Sequence, residues 1–169
     1  MPVGKESEMR NVAVVWSACI ALLVSSASGL AASPEDEVAI TATALDYLEG
    51  WYTGDAARME RALHPDLAKR IVRIDPEGNW DRVDSMSAMT LVQYTRKGYG
   101  TKVPVAERQA DITILDVFGN AAVVKAVARD WVDYLQIGKV NGEWKIINVL
   151  WEMKPAPKPD DGPHDEAAE

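Results

Sequence analysis

From Trp131 to Trp151, apolar and polar side chains alternate on both sides of Asn141-Gly142. An Asn-Gly pair between alternating runs favours a two-residue type I′ turn, because both central residues must take positive φ, so the stretch predicts a long antiparallel hairpin. Regular pairing outward from that turn sets Val140 against Glu143, Ile137 against Ile146, Leu135 against Asn148 and Asp133 against Leu150. One face then carries Trp131, Asp133, Leu135 and Ile137 with Trp144, Ile146, Asn148 and Leu150. It is an apolar wall bearing two polar groups, Asp133 and Asn148, and suits the lining of a pocket. The other face carries Val132, Tyr134 and Gln136 with Lys145, Ile147, Val149 and Trp151. Ile147, Val149 and Trp151 would be poorly placed in water, which predicts a homodimer packed through that sheet face.

Upstream the period is helical. Ile40, Ala44, Leu48 and Trp51 recur along one stripe, widened by Leu45 and Tyr52, after Ser33-Pro34-Glu35, which supplies an N-cap, a first-turn proline and an early acid. Gly50 and Thr53-Gly54 close this helix. Asp55 can cap a second short one bearing Met59, Ala62 and Leu63, which Pro65 stops. Lys69 to Ile74 reads as a strand, Asp75 to Asn79 as a turn, and a third helix capped by Asp84 or Ser85 is expected to reach about Lys97 before Gly98. Beyond Pro104 the period becomes two, with strands over Gln109 to Val117 and Ala121 to Ala128 joined across Gly119-Asn120. Helices followed by hairpin-linked strands predict an α+β domain with the helices on one face of a curved antiparallel sheet.

The 169-residue length fits one domain. A formal charge of -8 disfavours nucleic acid and anionic membrane surfaces as partners. Val12 to Ala27 is an apolar run preceded by Arg10 and followed by small residues, the order of a secretory signal, so residues 1–32 are expected to be a cleaved leader, with Met9 a better start than Met1. The run falls short of the ~20 apolar residues of a membrane span, and no stable span is expected after cleavage. The expected location is therefore periplasmic or extracellular. The single cysteine, Cys19, lies in this leader, leaving no disulfide or thiolate metal site downstream. Residues 155–169 are rich in proline and acid without large apolar groups and read as a disordered tail, so the folded domain is expected over residues 34–154.

The runs Ala44-Leu45-Asp46-Tyr47-Leu48-Glu49-Gly50-Trp51-Tyr52 and His64-Pro65-Asp66-Leu67-Ala68-Lys69-Arg70, then Asp133-Tyr134-Leu135 leading to Gly142-Glu143-Trp144-Lys145-Ile146-Ile147-Asn148, occur in the order used by the NTF2-like superfamily. The chain resembles that superfamily, which includes nuclear transport factor 2, ketosteroid isomerases and polyketide cyclases. Within it the similarity is to the bacterial family labelled putative lumazine-binding. The resemblance implies a cone-shaped α+β fold, three N-terminal helices packed on a curved antiparallel sheet. It implies little about chemistry, because the superfamily spans enzymes, carriers and assembly domains.

His64 is the only histidine inside the expected domain. An imidazole exchanges protons near neutral pH, and Asp133 nearby would orient it; a helix-closing hydrogen bond before Pro65 is the plainer role. Asp133 on an apolar wall needs donors, for which Asn148 and Arg70 are candidates, or it acts as a base. Tyr94 and Met89 on the third helix could close the pocket with Trp131, or be ordinary core. Arg70 and Arg73 could meet an anionic ligand, or solvate an edge strand. No zinc-spaced ligand cluster, phosphate loop or nucleophile elbow is present in the sequence, so neither metal nor cofactor is expected. The expected function is binding of a small, partly apolar organic ligand by His64, Tyr94, Trp131, Asp133 and Asn148. The alternatives are a non-catalytic dimeric interaction domain with a filled pocket and a cofactor-free isomerase or hydratase using His64 or Asp133 as base.

Overall fold

A computed structural model of the chain describes residues 32–156. The leader expected over residues 1–32 and the tail from 155 fall almost wholly outside the described residues. Helix α1 (Pro34–Thr53) starts where Ser33 accepts the Asp36 amide at 3.1 Å and ends at Gly54, whose φ of 73° makes the left-handed cap. Its buried stripe is Ile40, Ala44, Tyr47, Leu48 and Tyr52. Helix α2 (Ala56–Ala62) is capped by Asp55. Asp46 ties the two helices together, accepting from Arg58 at 2.6 Å and Arg61 at 2.8 Å.

Strand β1 (Leu63–Arg73) begins six residues earlier than Lys69, directly after α2. Its parallel pairing with β6 is interrupted between Leu63 and Ala68, the segment containing Pro65, which has no N–H to give a ladder. Strand β2 (Arg82–Ser87) occupies residues where the third helix was expected to begin. The cap is Ser87 rather than Asp84 or Ser85, and α3 runs Ala88–Arg96. The residues between Asp75 and Ser87 alternate too weakly to separate an edge strand from a helix start. Single helical turns at Gly100–Lys102 and Val105–Glu107 lead into β3 (Ala110–Phe118), β4 (Ala121–Ala128), β5 (Trp131–Val140) and β6 (Glu143–Met153).

The six strands form one open, curved sheet in the order β2-β1-β6-β5-β4-β3, antiparallel except for β1 against β6. The helices cover its inner face, where Val124, Ala126, Leu135, Ile137, Ile146 and Val149 meet the α1 stripe in one core. This is the cone-shaped α+β architecture. Gly100 lets the connection after α3 press against α1, since a Cβ there would stand 2.3 Å from the Trp51 carbonyl oxygen.

The β5–β6 hairpin has the expected turn, with φ of 53° at Asn141 and 85° at Gly142. Val140 faces Glu143 and Ile137 faces Ile146, but a bulge then leaves Ile147 unpaired and sets Gln136 against Asn148. Beyond it Leu135 faces Val149 and Asp133 faces Trp151. The expected pairs Leu135–Asn148 and Asp133–Leu150 are therefore wrong by one residue. Gly138 accommodates the bulge, because a Cβ there would come within 2.5 Å of Ile147 Cδ1. The slip exchanges the two faces of the outer half of β6. Asn148 and Leu150 turn outward, while Val149 and Trp151 turn inward, so neither of the latter can belong to an outer dimer surface.

The Asp46 carboxylate sits below its ordinary value: desolvation opposes this most strongly, and the hydrogen bonds from Arg61 and Arg58 together outweigh it. A carboxylate with a lowered native value adds stability above its unfolded value, and that contribution is lost as pH falls through the lowered one. Asp46→Asn should therefore be less stable than wild type at pH 7 by up to about 1 kcal/mol. The gap should close in urea titrations repeated toward pH 3; a gap that persists there would contradict the assignment.

Candidate functional site

The inward slip of Trp151 completes a polar cluster on the inner face. Asp133 is wholly buried, and Lys69 beside it on β1 is only 4% exposed. Lys69 Nζ donates to Asp133 Oδ1 and, at 2.7 Å, to the Tyr47 hydroxyl oxygen. The other carboxylate oxygen, Oδ2, accepts the Trp131 indole N–H at 2.6 Å and the Tyr47 hydroxyl at 3.2 Å. Four residues from α1, β1 and β5 thus satisfy one another around a buried charge pair. The Lys69 ammonium also lies 4.6 Å from the centre of the Trp151 ring and 5.4 Å from that of Tyr47. Arg73 flanks the same indole at 5.6 Å.

This cluster forms part of the lining of a half-open pocket of about 240 Å³. Its walls are Trp51, Met59, Met86, Leu91, Tyr94, Trp131, Trp151 and Met153, with Tyr47, Lys69 and Asp130 as the other contributors. Trp51 meets Trp131 edge-on at 6.2 Å, and Tyr52 braces Trp131 at 6.4 Å. Three tryptophans and three methionines give flat, polarisable surfaces against which a ring can lie.

Burial pushes the Lys69 ammonium below its ordinary value, with the Asp133 carboxylate acting in the opposite direction. Burial also pushes the Tyr47 phenol well above its ordinary value, and the charge and hydrogen bond of Asp133 add to that. Tyr47 therefore stays protonated and serves as a neutral donor. Among the described residues no group of three or more His, Cys, Asp or Glu side chains could hold a metal ion.

Of the residues expected at the site, Trp131 and Tyr94 line the pocket and Asp133 lies beneath it. Asn148 does not: it faces the outer surface beside Tyr134 and Gln136, carried there by the bulge. It is thus no partner for Asp133, and neither is Arg70, which shares the outer surface. His64 is also elsewhere, its Nδ1 accepting the Asp66 amide at 3.2 Å near the start of β1. Leu63 pairs with Ile146, some five residues along β6 from Trp151, a separation of roughly 16 Å at strand rise. No His64–Asp133 dyad exists, and both Asp133 oxygens are occupied by donors. Met89 is two-thirds exposed and takes no part. Lys69, Tyr47, Trp51, Trp151, Met86 and Met153 are among the lining residues not expected there. Lys69 has a visible signal, a lone cation in phase with the buried positions Leu67 and Ile71 of a strand.

A model of the family described as putative lumazine-binding matches residues 35–152. The chain belongs to that family. No curated protein matches it. Among solved structures it is similar to an NTF2-like protein of unknown function from Silicibacter pomeroyi, at 17% identity and a TM-score of 0.55, over 71% of this chain and 97% of that one. An NTF2-like protein from Methylobacillus flagellatus matches at 20% identity and 0.54, over 75% and 100%. One from Shewanella baltica matches at 18% and 0.53, over 74% and 99%. These likenesses establish the fold, and the family description is of ligand binding.

Replacing one member of a buried ion pair strands the other, at a cost of about 3–5 kcal/mol. Asp133→Asn should lose that much in urea unfolding. Adding Lys69→Met should restore most of it, because the introduced amide would keep an acceptor for Trp131 and Tyr47 while the stranded charge is gone. A double variant whose loss equals the sum of those of Asp133→Asn and Lys69→Met alone would show that the pair is not coupled.

Proposed function

We propose that this family member binds one small, flat, partly apolar organic molecule in the inner pocket, as an exported binding domain. The carrying observation is the unfilled volume of about 240 Å³ between Trp51, Trp131, Trp151 and Tyr94, over the Lys69–Asp133–Tyr47 cluster. That volume supports ligand binding over a cone filled by its own side chains. It suits one or two fused rings and is smaller than the pockets that take drug-sized molecules, roughly 300 Å³ and upward. The ring-bearing ligand named by the family description falls in this class. Export rests on the order of charge, apolar run and small residues in the leader.

Abstraction of a proton from a bound ligand by His64 or Asp133 draws no support from the geometry. His64 is remote, and the Asp133 oxygens are engaged by three donors. Three of the chain's six tryptophans line the pocket, so ligand entry should quench intrinsic fluorescence. Titration with lumazine and, separately, cinnamyl alcohol should give saturable quenching by at least one of them. Met86→Trp should fill the pocket and weaken binding tenfold or more, with thermal melting unchanged or raised. No saturable quenching by either probe, or an unaffected Met86→Trp, would sink the reading.

A second proposal concerns the outer sheet face. Homodimerisation through Ile147, Val149 and Trp151 needs revision, because Val149 and Trp151 point inward. The outer face instead presents Val72, Val83, Val123, Tyr134 and Leu150, which are 37–61% exposed. Register places these on adjacent strands β2, β1, β6, β5 and β4. A second copy of the chain covering this face would remove that apolar surface from water. Sedimentation equilibrium should report a dimer, and Tyr134→Arg with Leu150→Arg should give monomers that melt cooperatively. A wild-type monomer at tens of micromolar would end the proposal.

A further inference from the structure

Lys69 is the amine at the base of an aromatic and thioether pocket, and an ammonium carries three N–H donors. Two of these are spent, on Asp133 Oδ1 and on the Tyr47 hydroxyl. Among the described residues the third has no protein acceptor, and the side chain lines the pocket. The nitrogen is therefore a desolvated amine beside a carboxylate, with a neutral phenol at 2.7 Å, facing an apolar chamber. That is the setting in which a lysine condenses with a carbonyl compound.

We propose that Lys69 captures a small aryl or conjugated aldehyde from the pocket as a protonated Schiff base, with Asp133 as its counterion. The inference rests on the reading that the pocket binds an organic ring. It names the chemical class of that molecule and the bond that holds it.

The charge balance argues for it. Lys69 passes a proton to Asp133 across their existing hydrogen bond, and the freed lone pair attacks the aldehyde carbon. The C–N bond forms as the carbonyl π bond breaks, and the oxygen takes one proton from the nitrogen, with the Tyr47 hydroxyl as relay. The proton held by Asp133 then goes to the carbinolamine hydroxyl, which leaves as water while the nitrogen lone pair closes the C=N bond. The product is an iminium with one N–H facing a restored Asp133 carboxylate. One cation and one anion are present before and after, so the buried carboxylate never loses its partner, and no oxidant, reductant or further reactant is needed. Burial favours the neutral amine that attacks. The recessed position of the nitrogen favours an aldehyde over a more hindered ketone, and Trp131 and Trp151 favour a flat substituent.

The test uses the whole protein with 4-(dimethylamino)cinnamaldehyde, whose absorption moves to longer wavelength on forming a protonated imine. Cyanoborohydride reduction followed by peptide mapping should place the adduct on Lys69, at least tenfold above the exposed Lys97 and Lys102. The red-shifted band should be absent from Lys69→Arg. Should that variant fail to fold, the wild-type peptide map decides alone. Labelling of the exposed lysines with Lys69 unmodified would overturn the proposal. Parallel fluorescence titration with cinnamyl alcohol, which cannot form an imine, separates the two readings. If the alcohol saturates the pocket and Lys69 stays unlabelled, the Schiff base fails and the binding reading stands; if neither lumazine nor the alcohol saturates and Lys69 also stays unlabelled, both fail.

Discussion

The buried carboxylate of Asp133 is the constraint around which this domain is organised. An ionised carboxyl cannot sit unpaired inside a fold, and the donors it requires lie on separate elements: Lys69 on β1, Tyr47 on α1 and Trp131 on its own strand. Satisfying it fixes the depth at which α1 lies on the sheet and the phase in which β1 joins β6. Hydrophobic burial supplies most of the driving force, as in any domain of this size, but it is indifferent to small slides of one layer over another. A three-donor geometry is not. The same contacts leave the rings of Tyr47, Trp131 and Trp151 standing around one ammonium, and the pocket is the space left above them.

The fold was largely legible because its signals are local. Ser33-Pro34, Gly54, Asp55 and Asn141-Gly142 each act within a few residues of themselves, and each sits where its local chemistry requires. The long hairpin and the helix-then-strand order followed from such signals, while the family resemblance rested on the ordered runs Ala44 to Tyr52, His64 to Arg70 and Gly142 to Asn148. The third helix was placed too early because Arg82–Ser87 is a short edge strand with weak alternation, whose identity comes from pairing with β1 and not from its own residues.

The site was legible only in part, and the reason is a single residue. A hairpin register carried outward from its turn assigns every side chain to a face, and one bulged position inverts all assignments beyond it. Trp131 and Asp133 lie on β5, whose alternation is unbroken because the extra residue, Ile147, is on β6, and Tyr94 lies on α3, so all three were placed at the pocket. Asn148 and Trp151 lie beyond it and exchanged roles. Lys69 was overlooked because a lysine flanked by Ala68 and Arg70 reads as part of a basic edge, and only the strand phase set by Leu67 and Ile71 shows that it points inward. His64 was attractive for its chemistry alone, and sequence offers no measure of its distance from Asp133.

The bulge also bears on the order of events in folding. A hairpin closing outward from Asn141-Gly142 forms the pairs Val140–Glu143 and Ile137–Ile146 in either register, so the two alternatives part company only at Gln136. Past that point, what favours the observed register is the buried cluster, and its partners Tyr47 and Lys69 arrive from far away in sequence. The tip of the hairpin can therefore form early while its open end stays undecided. The face that Trp151 presents therefore depends on contacts with α1 and β1 that pairing outward from the turn does not supply, and the pocket and the register of the sheet that carries it are specified by the same long-range cluster.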